Sequence, residues 1–191
     1  MRARRRLLLI ASALLFAVGA VLIAYVVYER EHTRGYQRQA YARLEVDARS
    51  PTPAAAVRHE GDLLGEMSIA RIGLHAVITE GESARVLRRA VGHVPDTAAP
   101  GESGNVALAG HRDGFFRPLR DIRLGDVITV SVDGHAIRYA VEWTRIVSPD
   151  EVWVLGPTSG HALTLITCYP FTFIGSAPSR FIVRARAANH E

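Results

Sequence analysis

The sequence has no lysine, a single cysteine, and only two methionines and two tryptophans. Without lysine there is no Schiff-base amine and no cation for a phosphate loop. One cysteine cannot close an intrachain disulfide, so a disulfide scaffold is excluded, and Cys168 is left as buried filler, an intermolecular link, a ligand or a reactive thiol. Excess charge is missing too, except at the start. The 23 cations are all arginine against 19 acidic residues, and Arg2, Arg4, Arg5 and Arg6 alone account for the net +4. The remainder is neutral, which gives no electrostatic support to a partner such as nucleic acid. With 48% apolar and 22% charged residues in 191, the composition is that of a folded chain, enough for one domain and an appendage.

What is present in quantity is an uncharged run. Leu7 to Tyr28 is 22 residues, and as a helix it reaches roughly 33 Å, enough for a hydrocarbon core of about 30 Å. Val18-Gly19-Ala20 resembles a signal-peptide cleavage site, but the apolar run continues for eight residues beyond it, and Tyr25 and Tyr28 fall where interfacial aromatics belong. A retained anchor in membrane lipid fits this pattern better. The arginines before the span, against the mixed Glu29-Arg30-Glu31-His32 after it, place the N-terminus in the cytoplasm and the rest outside. The expected organisation is a basic tail at 1–6, a span at 7–28, a polar stalk at 29–64 and a folded domain at 65–191. Tyr36, Tyr41 and Leu44 form a weak helical stripe in the stalk, and Ser50-Pro51-Thr52-Pro53 breaks any helix there.

Beyond Gly65 the chain turns to short β-rich runs at 67–72, 75–79, 105–109, 126–132, 135–147, 163–168 and 181–185. Asp133-Gly134 lies between two alternating runs and marks a tight hairpin, because both residues tolerate positive φ. Residues 83–90 could form one short helix, and Ser148-Pro149-Asp150-Glu151 reads as the start of another. The pattern predicts a mostly β, single-domain closed sheet with one or two short helices. No internal repeat is evident.

Cys168 ends the run Leu163 to Cys168, at a strand mouth. A free cysteine is ordinarily a small buried hydrophobe, yet a lone thiol in an oxidising compartment is a liability unless it is used. A cysteine nucleophile needs a histidine nearby, since a free thiol with a pKa of about 8.5 is mostly protonated at neutral pH. Of the eight histidines, His32, His59, His135, His161 and His190 lie on the stalk, in loops, beside turns or at the tail, and His75 could face either way. His93 and His111 remain. His111 follows the apolar strand 105–109 directly and is the stronger of the two, because a strand end holds a side chain firmly at a rim. The HRD triplet there lacks the other parts of a kinase site, and the cysteine and histidine spacing offers no metal site. An oxyanion formed by thiolate attack needs a donor. Arg180 would face Cys168 if the strands ending and beginning there are antiparallel neighbours, with Arg112 and Arg117 as competitors.

These same residues carry a family resemblance. The TLITC run resembles the TLxTC signature of the sortases, membrane-anchored cysteine transpeptidases; NVALAGHRDGFFRPLRDIRLGDVITV resembles their histidine-bearing strand and loop, and SAPSRFIV their arginine-bearing strand. The likeness runs from about Met67 to Ala187, and HRDGFFRPL and CYPF are most similar to the class D type. The resemblance implies an eight-stranded β-barrel, no cofactor, and a partner protein with an LPxTG-like sorting signal. That signal would be cut after its threonine through a thioester on Cys168, with His111 as acid and base and Arg180 holding the oxyanion or the substrate backbone, before transfer to an amine acceptor. Two other readings stand beside it: a membrane-tethered barrel that binds peptide without chemistry, with Cys168 inert, and a thiol protease that releases its product to water.

Overall fold

A computed structural model describes residues 2–47, 58–172 and 175–188. The Ser50 to Pro53 break and His190 lie outside the described residues. The chain divides into two compact units, 1–36 and 37–191. The first belongs to helix α1 (Arg2–Asp47), whose apolar side chains from Leu7 to Tyr28 stand exposed, Leu15 and Phe16 at 74% and 84%. Among the described residues, α1 is the one helix long and apolar enough to cross a membrane.

The second unit is built on a closed barrel. Its strands are β1 (Leu63–Ile69), β2 (Leu74–Glu80), β3 (Val91–His93), β4 (Gly104–Ala109), β5 (Val127–Val132), β6 (His135–Val147), β7 (His161–Tyr169) and β8 (Ser179–Ala187). Around the barrel they run β1-β2-β3-β4-β7-β8-β6-β5, with β5 closing on β1. Period-2 alternation explains the closure, since every second side chain of each strand can enter one shared interior. Val106 and Leu108 of β4, Leu163 and Leu165 of β7, and Val183 and Ala185 of β8 are all fully buried in it, with Tyr139 of β6. Phe116 and Leu119, from the segment after β4, join the same core. The last turns of α1, in this second unit, are tied to the barrel. Gln37 donates to the Arg89 carbonyl at 2.6 Å and accepts from the Val77 amide at 3.1 Å.

The Asp133-Gly134 hairpin forms as expected: Val132 pairs with His135, and the two loop residues have φ of 50° and 78°. Seven expected strands are present, most of them longer at their ends. The eighth, β3, has only three residues, too few to show a period, and pairs parallel with β2 and antiparallel with β4. The first strand lies earlier than expected: β1 ends at Ile69, and Ala70–Ile72 is a turn of 3-10 helix closed by Gly73 in the left-handed region. Helix α2 (Ala84–Leu87) sits inside 83–90 and is capped by the Ser83 hydroxyl, which accepts from the Val86 amide. The helix expected from Ser148 does not start there. Glu151 and Asp150 turn back onto Ser148 instead, and a 3-10 helix without a side-chain cap follows at Val152–Leu155.

Candidate active site

Three neighbouring strands, β4, β7 and β8, build the site. β7 and β8 are antiparallel, and their register sets Cys168 directly opposite Arg180. β4 and β7 are parallel, with Ala109 beside Ile166. The pairing runs one step further, because the Gly110 amide donates to the Ile166 carbonyl at 3.1 Å and the Thr167 hydroxyl donates to the Gly110 carbonyl at 2.7 Å. His111 follows Gly110 directly, so continuing this parallel register by one residue sets it on the row of Cys168. All three sit on the outer face. A Cβ on Gly110 would lie 2.7 Å from the core ring of Phe116, so Gly110 faces inward and the residue after it faces out. Arg180 shares its side of β8 with Ile182, and Cys168 shares its side of β7 with Ile166.

Cys168 is a free, half-buried thiol. Neither it nor the half-buried His111 ring hydrogen-bonds any described residue through its side chain. Arg180 donates only from Nη1, to the carbonyls of Ser179 (3.1 Å) and Ala177 (3.4 Å), which leaves Nε and Nη2 without a partner among the described residues. Arg112 differs: both its Nη atoms donate to backbone, to Pro170 at 3.1 Å and Gly175 at 2.9 Å. Arg117 is exposed. His93 lies 3% exposed inside the protein, its Nδ1 3.0 Å from the Glu80 carboxylate and its Nε2 3.0 Å from the Ala98 carbonyl, an arrangement that ties loop to strand. His75 and His135 are exposed. Among the described residues no cluster of histidine, cysteine and acidic side chains could hold a metal ion.

A half-exposed thiol beside an unengaged imidazole and a guanidinium with spare donors is an arrangement suited to acyl transfer. Residues 67–188 match the Sortase domain family. The chain belongs to the sortase family. It is similar to Sortase D of Bacillus subtilis, 28% identical over 88% of this chain and 93% of that one. Among solved structures it is similar to the sortase D5 transpeptidase of Clostridium perfringens, with a TM-score of 0.71 and 25% identity over 81% of this chain and 99% of that chain. It is also similar to the sortase C of Clostridium perfringens solved with the C-terminal cell wall sorting motif, with a TM-score of 0.65 and 25% identity over 84% and 91% of the two chains. This sortase is thus a class D-like member of a family of cysteine transpeptidases.

Behind the row, the outer face of the sortase barrel is covered by the β6–β7 connection. Val154 packs with Val147 and Ile182, while Leu87 of α2, Leu155 and Ile166 pack as half-buried side chains around Ala107 and Ala109. Of these, Ile166 lies two residues before Cys168 on the same face of β7. A buried polar set pins the connection down. The Asn105 side-chain amide donates to the Val154 and Gly156 carbonyls, both at 3.0 Å, and its oxygen accepts from the Thr164 hydroxyl at 2.6 Å. Arg184 donates to the same Val154 carbonyl at 2.7 Å, and burial holds its guanidinium below its usual pKa. Sequence reasoning missed this set because its bonded partners are 30 to 59 residues apart. The one available signal was polar residues at the otherwise apolar positions 105 and 164 of two strands.

Proposed function

We propose that this sortase is a single-pass membrane enzyme that cleaves an LPxTG-like sorting signal after its threonine and passes the acyl group to an amine. The observation that carries this reading is the convergence of His111, just past the end of β4, with Cys168 of β7 and Arg180 of β8 at one end of three neighbouring strands. The sulfur attacks the threonine carbonyl carbon as thiolate, forming a C–S bond and an oxyanion. Arg180 faces that oxyanion with the donors it has free. Collapse breaks the C–N bond, and the proton that the departing amine needs comes from the His111 imidazolium. The neutral ring then takes a proton from the incoming amine as that amine displaces the sulfur, and the thiolate is restored. Water in place of the amine gives hydrolysis at the same site.

Leu87, Leu155 and Ile166 supply apolar surface for the leucine and proline of the signal, which supports a substrate of that class. The solved sortase C carrying a sorting motif supports the same class by analogy. Residues 7–28 would hold the enzyme in the membrane, with the basic tail 1–6 in the cytoplasm, the linker beyond the span and the catalytic barrel, which begins at Leu63 rather than at 65, outside. A catalytically silent barrel would have no use for a half-exposed thiol near the end of β7.

The test is cleavage of an LPxTG-type peptide by the full chain in detergent, with an amine acceptor present. Cys168→Ala should abolish turnover and any covalent adduct seen by mass spectrometry. Arg180→Ala should lower kcat/KM about 10²- to 10³-fold, as for loss of an oxyanion donor, and Arg180→Lys should recover little because the planar fork is gone. Undiminished activity in Cys168→Ala would sink the reading.

A further inference from the structure

We infer that Arg112 is a positioning residue that braces the three segments of the site against one another, an inference that rests on the roles given above to Cys168, His111 and Arg180. Arg112 directly follows His111 in the chain. Its Nη1 reaches the carbonyl of Pro170, two residues after Cys168, at 3.1 Å, and its Nη2 reaches the carbonyl of Gly175, five residues before Arg180, at 2.9 Å. A single guanidinium therefore joins the histidine segment to the stretch leaving the cysteine strand and to the stretch entering the arginine strand.

The need for such a brace follows from where the strands stop. β4 ends at Ala109, and the bonds of Gly110 are the last that tie this chain to β7. His111 lies beyond them. Its carbonyl is held by the amides of Gly114 and Phe116, which fix the turn that follows but not its distance from β7. Arg112 supplies the missing cross-link, and it does so onto backbone carbonyls, so the tie does not depend on which side chains the loop carries. The fork geometry matters because two acceptors on separate parts of a loop must be met by one rigid plane, which the point charge of a lysine cannot do. Arg112 differs here from Arg180, whose Nε and Nη2 stay open toward a reacting group.

The experiment uses the full chain in detergent with Arg112→Met, which keeps the apolar stem, and Arg112→Lys, which keeps the charge. Two readouts are taken: steady-state kinetics on an LPxTG-type peptide, and the rate of Cys168 alkylation by iodoacetamide as a function of pH, with His111→Ala as reference. In both Arg112 variants kcat should fall about 10- to 100-fold with KM changed less than about threefold, the scale expected when reacting groups are misplaced by about 1 Å. The alkylation profile of both variants should shift toward that of His111→Ala. Unchanged kcat and an unchanged profile would overturn the inference. Lost kcat with an unchanged profile would overturn it as well, by making Arg112 a direct contact of the substrate. Arg112→Lys alone decides the matter if Arg112→Met does not fold. The two arms also separate this inference from the reading beneath it: absence of peptide cleavage in the unmodified enzyme counts against the proposed substrate, while the alkylation profile still reports on the brace. A profile identical in the unmodified enzyme and His111→Ala would remove the cysteine and histidine pairing itself.

Discussion

At the scale of single residues, the barrel separates chemistry from packing by strand parity. On β7, Leu163 and Leu165 point into the core while Ile166 and Cys168 share the outer face, so a one-residue slip in register would seal the thiol inside. Tyr139 shows what sealing does to a polar group. It is fully buried on β6, its hydroxyl has no hydrogen-bond partner among the described residues, and burial pushes its pKa up to about 12. The folded state thus favours the neutral phenol more than the unfolded chain does. The stabilisation this gives is complete below pH 10, the ordinary tyrosine value, and is lost as pH rises through about 12. Thermal unfolding between pH 8 and 12 should therefore show a shallower alkaline decline in Tyr139→Phe than in the unmodified chain. At pH 7 the variant should be at least as stable, because a buried donor without a partner costs about 1–3 kcal/mol. A variant clearly less stable at pH 7 would mean that the hydroxyl is satisfied after all.

At the scale of elements, the β6–β7 connection depends on side chains from three strands. Asn105→Ala should leave the Gly156 carbonyl and the Thr164 hydroxyl without their partner, at about 1–3 kcal/mol in total for the site. In a unit of this size that corresponds to a Tm lower by about 2–4 °C for each kcal/mol. Because the connection carries Leu155 beside Ile166, peptide KM should rise more than kcat falls. An unchanged Tm would show that the buried amide contributes nothing to holding the connection. Local signals and distant ones differ sharply in how well the sequence displays them. The Asp133-Gly134 turn, the alternating strands and the Ser83 cap are visible because each depends on residues only a few positions apart. The three-residue β3 and the 3-10 form of Val152–Leu155 were not, since the first shows no period and the second turns on how Glu151 and Asp150 fold back on Ser148. Cys168 and Arg180 could be anticipated as a pair because twelve residues and a loop join antiparallel neighbours. The parallel pairing of β4 with β7, which brings His111 alongside across 57 residues, leaves no local trace, although the place of His111 at the end of an apolar strand was visible.

At the scale of the whole molecule, the distribution of charge and of sulfur allows a direct test of membrane orientation. Arg2, Arg4, Arg5 and Arg6 precede the apolar run, and Glu29-Arg30-Glu31-His32 follows it with no excess of positive charge. Retaining arginine on the cytoplasmic side is the stronger determinant of insertion, so the rest of the chain should face outward. The protein carries one thiol in 191 residues, and that thiol is half-exposed on the barrel surface. A membrane-impermeant maleimide applied to intact cells expressing the chain should therefore label Cys168 and nothing else in it. Permeabilising the cells should add little further label. Cys168→Ala provides the blank, and a cysteine placed at Ala3 in that background should behave oppositely, reacting only after permeabilisation. Labelling of Cys168 that requires permeabilisation would reverse the orientation and remove the enzyme from any substrate outside the membrane, because a sorting signal presented there could not reach the sulfur.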